Sequence, residues 1–537
     1  MLKVSNSIPI SNYSQVVISD NSGATFKPKT NSRVRVALPT TLGMIDFHSS
    51  YFQFDTKVTK NQTQGNTNTY KCGFGNRQGA EQIVRDLIIR VDGRPLETIT
   101  NYNVLDKARR DYAHDLTLNN LDSIYSHATL QPDNPSYAAQ EWDTTTETYT
   151  YNSVSTKNQM QLDLSGLLSM KTGFPIVATG SVEIEFILED AENVLVPQQE
   201  MGAVQCATFV ASGTGTITGG KITLKDVMDE DRHNTDNVYA KGNVFEIIGT
   251  KNDGTEAKRY FRITAPTVKN GTKLEITSTD FTAQVGGTGL FPANDDFSAG
   301  SGSVTIRPMF NSTYVDKTTL PTLLTNEQWS YEVSNVEFVC RSIEMPPPYL
   351  NALQRRIQGE GLVMDCPTYS MYLANILPNL IRQSLLVPCY SSRVKGVLSV
   401  PVLSAQENYQ HDRQGKVDGL REYQAKIGSR VEPQRPVDIT NWTTDVTHQF
   451  HAQEHLQELT KTLNAVGIGE RSLARWRDNF VFGRRLGAMG GSEDLSEKGF
   501  RWEIAYNSNV NKAKNVYNFV SMVKRLQIVP TGVNIFG

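Results

Sequence analysis

Short runs of alternating polar and apolar residues dominate the first 200 residues of the chain and predict β-strands. The runs "SRVRVALP" (32–39), "SYFQFDTKV" (50–58) and "SVEIEFILED" (181–190) place apolar side chains on one face and polar ones on the other. In "DLIIRVDGRPLETI" (86–99), two such runs flank Asp92-Gly93, a dipeptide that favours a tight hairpin. This pattern is typical of half-buried strands in a sandwich or barrel.

Helical spacing interrupts these strands once. In "TNYNVLDKARRDYAHD", Thr100 or Asn101 can cap a helix whose stripe runs from Tyr102 to Tyr112. The stretch 134–156 is rich in Thr, Tyr, Asn and Ser, and we expect it to be a long polar loop.

The composition changes to Gly, Thr, Asp and Asn between about residues 206 and 319. Asp253-Gly254 and Asn270-Gly271 each separate two strand-like runs, so both predict hairpins. Glycine-rich segments, "ASGTGTITGG" and "FSAGSGSVTI", lie near the two ends of this region. We interpret it as a small inserted β module.

Alternation returns at "WSYEVSNVEFVC" (329–340) and continues to the C-terminal "RLQIVPTGVNIF". The prolines of "MPPPYLNALQRRIQ" predict the end of a strand and the start of a short helix, and a second helix is expected over 446–466. Strands, a helix and more strands thus occur at both ends of the chain. The predicted domains are 1–203, the inserted module 204–325, and 326–537.

Bulk composition narrows the possible functions. The 537 residues include 53 basic and 56 acidic side chains, a formal charge of −3, which argues against strong sequence-independent binding to nucleic acid. Five scattered cysteines without a C-x-x-C pair suit reduced, buried thiols. No signal peptide and no run of 18 apolar residues is found, so we expect neither secretion by that route nor a membrane span.

One motif raises the question of metal chemistry. "HAQEH" matches the H-x-x-E-H pattern in which His451 and His455 would hold zinc and Glu454 would act as general base. His448, His451 and His455 share one side of the predicted helix, beside an apolar stripe of Leu456, Leu459, Leu463 and Val466. No third ligand is evident, so we favour histidines that border a packing surface. At a subunit contact, their protonation would affect assembly near pH 6 to 7, where an unperturbed imidazole titrates.

Other candidate sites have simpler structural interpretations. The basic and aromatic run "RSLARWRDNFVFGRR" (471–485) suits base stacking, but it equally suits a protein interface with a buried aromatic core, which we favour. The glycine-rich runs "GTGTITGGK" and "CGFGNRQG" lack phosphate-loop spacing, and no nucleophile elbow is present. We therefore predict no catalytic, cofactor-binding or metal-binding residues and no enzymatic activity.

The order of several segments resembles that of a known family. "RVRVALPTTLGMIDFHSSYFQFDTKV" and "RDLIIRVDGRPLETITNYNVLDKARRDY" look like the first jelly roll of double jelly-roll major capsid proteins, especially those of polinton-like viruses and virophages. "YEVSNVEFVCRSIEMPPPYLNAL", "VPCYSSRVKGVLSV" and "VPTGVNIFG" look like the second roll. The resemblance covers most of 25–200 and 325–537, and the module at 206–320 departs from a minimal double roll.

This resemblance implies an all-β chain of two side-by-side, eight-stranded jelly rolls with short helices in loops. It implies a structural protein that forms homotrimers in the icosahedral capsid of a DNA virus, made inside the host cell, with penton and minor capsid proteins as further partners. The inserted module would be an outward tower. A β-sandwich adhesin or carbohydrate-binding virion fibre is the alternative, and a zinc protease is a third hypothesis.

Overall fold

The computed structural model describes residues 12–19, 25–60, 70–74, 79–113, 139–143, 148–152, 155–200, 204–209, 221–224, 244–250, 256–263, 268–270, 273–277, 281–283, 304–308, 312–314, 329–404, 415–417, 419–439, 453–468, 479–487, 491–507 and 512–537. Within this part of the chain, no helix is long and apolar enough to cross a membrane.

The strands up to residue 200 are β1 (Asn12–Ser19), β2 (Arg33–Leu38), β3 (Met44–Lys60), β4 (Tyr70–Phe74), β5 (Val84–Val91), β6 (Arg94–Thr100), β7 (Ala139–Asp143), β8 (Thr148–Asn152), β9 (Ser155–Met160), β10 (Val182–Leu188) and β11 (Leu195–Glu200). The helices here are α1 (Tyr102–Ala113), α2 (Ile176–Thr179) and α3 (Ala191–Val194). The strands of the middle region are β12 (Val204–Phe209), β13 (Lys221–Leu224), β14 (Val244–Thr250), β15 (Glu256–Ile263), β16 (Val268–Asn270), β17 (Lys273–Thr277), β18 (Phe281–Ala283), β19 (Val304–Pro308) and β20 (Ser312–Tyr314).

The remaining strands are β21 (Trp329–Glu344), β22 (Leu362–Ile376), β23 (Arg382–Val387), β24 (Val394–Leu403), β25 (Leu420–Ile427), β26 (Arg430–Asp438), β27 (Phe482–Arg485), β28 (Phe500–Tyr506), β29 (Lys514–Val529) and β30 (Gly532–Phe536). The helices are α4 (Pro347–Gly359) and α5 (Gln453–Val466).

Two eight-stranded rolls with the same strand order make up most of the fold. The first roll pairs the sheet β1-β21-β3-β9 with the sheet β2-β10-β5-β6, and the second pairs β22-β29-β24-β27 with β23-β28-β25-β26. When the strands of each roll are numbered along the chain, both rolls read 1-8-3-6 and 2-7-4-5. This is jelly-roll pairing, so the predicted all-β class with two eight-stranded jelly rolls is confirmed. The assignment of 329–344 to the second roll was wrong, because β21 pairs with β1 and β3 as the eighth strand of the first roll.

The two ends of each roll differ in their connections. Since neighbouring strands are antiparallel, the connections after the first, third, fifth and seventh strands meet at one end, which we call the insertion end. In the first roll these connections include 61–83, 101–154 and 189–328, whereas the opposite end, the base, carries short ones such as Asp92-Gly93. The two longest connections, 101–154 and 189–328, therefore lie at one end, and the longest at the base is 161–181.

Eight of the nine strands of the middle region named above form an antiparallel sheet with the order β16-β17-β13-β12-β19-β14-β15-β18. Its hairpins β14–β15 and β16–β17 lie where the dipeptides at 253 and 270 predicted them. β11 pairs with β20, so the chain enters and leaves this region on adjacent strands. The prediction of a polar loop over 134–156 was wrong, because β7 and β8 form a hairpin within it.

Apolar side chains hold the two rolls together. One continuous core contains the interior of the first roll and the outer face of the sheet β22-β29-β24-β27, including Leu398, Val400 and Phe519. A separate core fills the interior of the second roll around Trp502. The rolls are therefore packed against each other as one body, which large shared apolar surfaces favour.

Candidate functional site

The junction between the two rolls centres on a buried glutamate. Glu97 of β6 has no exposed surface, and its carboxylate accepts hydrogen bonds from the backbone N–H groups of Gly166 (3.0 Å) and Leu167 (2.7 Å). The hydroxyls of Ser165 and Thr368 donate to the same carboxylate, each at 3.2 Å, and Thr368 belongs to β22 of the second roll. Burial raises the pKa of Glu97, and these four donors oppose that rise.

The backbones of the two rolls approach each other closely at Gly166. A Cβ atom at this position would lie 2.0 Å from the carbonyl oxygen of Pro367, so only glycine fits. At the base, Arg94 donates from Nη1 to the carbonyl oxygen of Val533 at 2.6 Å. The start of β6 thus lies beside the turn after β29, which places the two bases together.

The insertion ends also meet. The hydroxyl of Tyr112 donates to the carbonyl oxygen of Asn479 at 2.5 Å, and the Asn479 amide donates to Asp111 Oδ2 at 2.8 Å. The Asn479 side-chain oxygen accepts from the backbone N–H of Gly415 at 2.7 Å. The two bases therefore lie next to each other, and so do the two insertion ends. The rolls are thus side by side in the same orientation.

A buried charge cluster supports α1 at this junction. Arg110 bonds Asp106 at 2.9 Å and Glu81 at 2.9 Å, while Arg109 bonds Asp106 at 2.9 Å and also contacts Asp163. Burial alone would raise the pKa of Asp106, but Arg110 and Arg109 outweigh it and hold that pKa below its ordinary value. Burial raises the pKa of Glu81, and Arg110 only partly offsets the rise. Removing one member would leave an uncompensated buried charge.

The zinc motif lies on a helix that packs into the second roll. His455 has no exposed surface; its ring stacks on Phe480 with centroids 5.0 Å apart, and Nδ1 lies 3.0 Å from the Tyr423 hydroxyl. Glu454 is exposed and lies 4.0 Å from Arg435, while His448 and His451 lie outside the described residues. Among the described residues, no group of three or more His, Cys, Asp and Glu side chains is placed to hold a metal ion.

Burial also changes the expected response of His455 to pH. Burial lowers its pKa from the ordinary value of 6.5 to about 3. The expectation that His455 titrates near pH 6 to 7 is therefore wrong. Its helix α5 ends at Val466 as predicted, and Leu459, Leu463 and Val466 are buried in the shared core.

The basic and aromatic run over 471–485 is described only from residue 479. Phe480 and Phe482 are buried in the core of the second roll, so neither is available to stack on a base. Arg484 pairs with Glu432 at 3.4 Å and also contacts Glu458. The described arginine and aromatic side chains thus serve packing and ion pairing within the chain.

Three cysteines, Cys340, Cys366 and Cys389, are free and buried, as the sequence predicted. Burial raises the pKa of the Cys340 thiol to about 11, which keeps it protonated and unreactive at neutral pH. Cys366 lies in the shared core at the junction. These thiols act as small apolar side chains.

An apolar loop at the insertion end of the second roll was missed by sequence reasoning. Between β22 and β23, Leu377, Leu380 and Ile381 are 57%, 43% and 51% exposed. The Gln383 amide accepts from the backbone N–H of Leu377 and donates to its carbonyl oxygen, both at 2.8 Å, which fixes the loop. A pre-organised, exposed apolar surface indicates contact with another molecule.

No family model matches the chain, and no curated protein matches it in sequence. Among solved structures, it is similar to the Faustovirus major capsid protein, at 10% identity and TM-score 0.48, over 98% of this chain and 92% of that one. It is also similar to VP54 of PBCV-1, as fitted into a reconstruction of the virophage Sputnik, at 8% identity and TM-score 0.46, over 99% and 98% of the two chains. Similarity to the mavirus major capsid protein has 11% identity and TM-score 0.35, over 100% and 92%.

Proposed function

We propose that this chain is the major capsid subunit of an icosahedral DNA virus and that it assembles as a homotrimer. The observation that carries the proposal is the pair of jelly rolls with one strand order, packed side by side in the same orientation through a continuous core. A rigid pair of like units is one third of a six-unit ring, so three copies form a pseudo-hexagonal block. The order of sequence segments, which resembles double jelly-roll capsid proteins, supports the same function.

The difference between the two roll ends supports an orientation in the shell. The longest connections lie at the insertion end, and the base carries shorter ones. If the strands run across the shell, one end of each roll faces the interior and the other faces outward. We place the base inside and the insertion end, with its longest connections, outside. The region 204–325 enters and leaves between the seventh and eighth strands of the first roll, at the insertion end, so it is proposed to be an outward tower.

The function lies in burying surface between copies, with no catalysis. The fixed apolar loop at Leu377, Leu380 and Ile381 supports self-association. The proposed partners are further copies of the chain, penton proteins and minor capsid proteins, and the location is the virion capsid. The near-neutral charge of −3 allows copies to pack without strong mutual repulsion.

Sedimentation equilibrium of the purified full chain tests the trimer. Three chains of 59.8 kDa give about 179 kDa, and electron microscopy of the source should show icosahedral particles that contain the chain. A β-sandwich adhesin predicts a different result, namely a single soluble chain that retains a glycan ligand. A stable monomer that binds glycan and is absent from particles would overturn the proposal in favour of the adhesin.

Limited proteolysis of intact particles tests the tower. A protease should cut within 204–325 before it cuts either roll, because an outward tower is accessible. Particles in which this region resists digestion, and which show no density outside the shell, would contradict the placement.

A further inference from the structure

The apolar loop between β22 and β23 is held in one shape from both sides. Gln383 bonds both backbone groups of Leu377, and the carbonyl oxygen of Ile381 accepts from the backbone N–H of Tyr506 at 2.8 Å. Between these anchors, Asn379 adopts a positive φ of 62°, which asparagine tolerates in a tight turn. The loop therefore presents its exposed side chains on a fixed backbone, and their burial by a partner requires little further ordering.

The loop continues the apolar surface of the internal junction. On β22, Tyr369 is buried in the core that the two rolls share, and Met371 packs against that core. Side chains alternate along a strand, so Leu373 is the next residue on the same face, and it is 52% exposed. An apolar surface thus runs from the junction along β22 to the loop, where it meets solvent. We call its exposed part the apolar patch, which consists of Leu373, Leu377, Leu380 and Ile381.

No second surface of this kind is exposed in the part of the chain that the structure describes. Ten large apolar side chains are exposed there, and the apolar patch supplies four of them. The other six stand singly on an element or lie beside charged side chains: Val17 on β1, Val177 on α2, Leu386 opposite Arg501, Phe536 opposite Arg525, and Val363 and Tyr390 within three residues of Asp365 and Arg393. The surface that best matches the apolar patch is therefore the same patch on another copy.

The sequence of this region is also free of charge. From Cys366 to Ile381, sixteen successive residues include no Asp, Glu, Lys, Arg or His. A charged side chain that met its own copies would be repelled by them, whereas an apolar side chain gains from such a contact. The composition thus suits a surface that packs against itself.

Symmetry determines where such a contact lies. In a closed trimer, a patch that touches the same patch on both other copies must lie at the threefold axis. We infer that the apolar patches of three copies pack against one another around the threefold axis, at the insertion end of the second rolls. This inference rests on the proposed homotrimer and identifies the residues at its axis.

A charge placed in the apolar patch tests the contact. Leu380→Glu would bring three carboxylates together at the axis, so it should weaken self-association at least about tenfold in sedimentation equilibrium. Leu380→Met keeps an apolar side chain of similar volume and should trimerise like the parent. The matched control is Val177→Glu, which adds the same charge at a residue 54% exposed on the first roll and should leave the trimer intact. Circular dichroism and melting temperature confirm that each variant is folded.

Cross-linking tests which surfaces meet. In Leu380→Cys, a short tris-maleimide reagent should join three chains into one covalent species, because the three thiols would lie around the axis. Val177→Cys should give no such product under the same conditions. The parent chain, in which Cys340, Cys366 and Cys389 are buried, measures any reaction of the native thiols.

The inference is overturned if Leu380→Glu trimerises like the parent, or if the Leu380→Cys trimer gives no covalent trimer. Normal trimers of Leu380→Glu that fail to form particles would overturn it in favour of a contact with another capsid protein. A parent chain that never trimerises would contradict the proposed function, and the inference with it.

Discussion

The buried histidine of α5 makes stability depend on acid in a calculable way. His455 stays neutral in the folded chain because burial lowers its pKa from 6.5 to about 3, whereas the unfolded chain binds a proton at the ordinary value. Between these values the unfolded state holds more protons, so stability is complete above about pH 6.5 and falls as pH falls toward 3. From pH 7 to pH 4, this group alone should lower the free energy of unfolding by about 3 kcal/mol.

The substitution His455→Gln isolates this contribution, because glutamine is polar and does not titrate. Urea denaturation at pH 7, 6, 5 and 4, at one protein concentration, gives the free energy of unfolding for parent and variant. As the pH falls from 7 to 4, the free energy of unfolding of the parent should drop by about 3 kcal/mol more than that of the variant. The control Leu459→Ala removes a buried side chain of the same helix and should be less stable at every pH, with a curve parallel to that of the parent. A His455→Gln curve parallel to that of the parent would show that burial does not lower the pKa of His455.

Three further predictions concern the junction and its charges. Gly166→Ala should lower the free energy of unfolding by about 1 to 3 kcal/mol or prevent folding. Gly359→Ala is the control and should have little effect, because no atom lies near the added Cβ. Equal melting temperatures for the two variants would contradict the close approach at Gly166. Glu97→Ala leaves two buried N–H groups without their acceptor and should lower the free energy of unfolding by roughly 2 to 6 kcal/mol. Thr368→Val should lower it by about 1 kcal/mol. Similar urea midpoints for the two variants would count against this network. Burial raises the pKa of Glu81 to about 7, so its contribution to stability is present below about pH 4.5 and is lost as the pH rises toward 7. Glu81→Gln should therefore flatten the dependence of stability on pH between about 4.5 and 7. An unchanged slope would argue against a protonated Glu81 in the folded chain.

The strands and their turns were predictable because local patterns determine them. Asp92 and Gly93 both adopt positive φ, 52° and 72°, which the Asp-Gly dipeptide tolerates in a two-residue hairpin turn. In β10, alternating side chains enter the core, and Glu185 on the other face pairs with Arg90 at 2.6 Å. Such features depend on neighbours in sequence or on one adjacent strand.

The junction was not predictable, because its partners are distant in sequence. Glu97 looks like an exposed strand residue until Thr368 and the 165–167 turn surround it. Likewise, the stripe expected on α1 gives no sign that Arg110 is buried, since its partner Glu81 precedes the helix by two strands. The histidine motif failed for the same reason: letters alone do not show that His455 points into an aromatic core.

The α5 helix links sequence pattern to packing directly. Its apolar stripe covers the second roll, and its opposite face, with Gln457 and Lys461, remains exposed. In the first roll the corresponding helix has no such face.

Electron cryo-microscopy of the purified full chain would show whether the two rolls of each copy join a six-roll ring. Class averages should show a pseudo-sixfold outline in which three copies contribute six jelly rolls. Particles that contain only one chain, with two rolls and no ring at concentrations where the chain is folded, would contradict it.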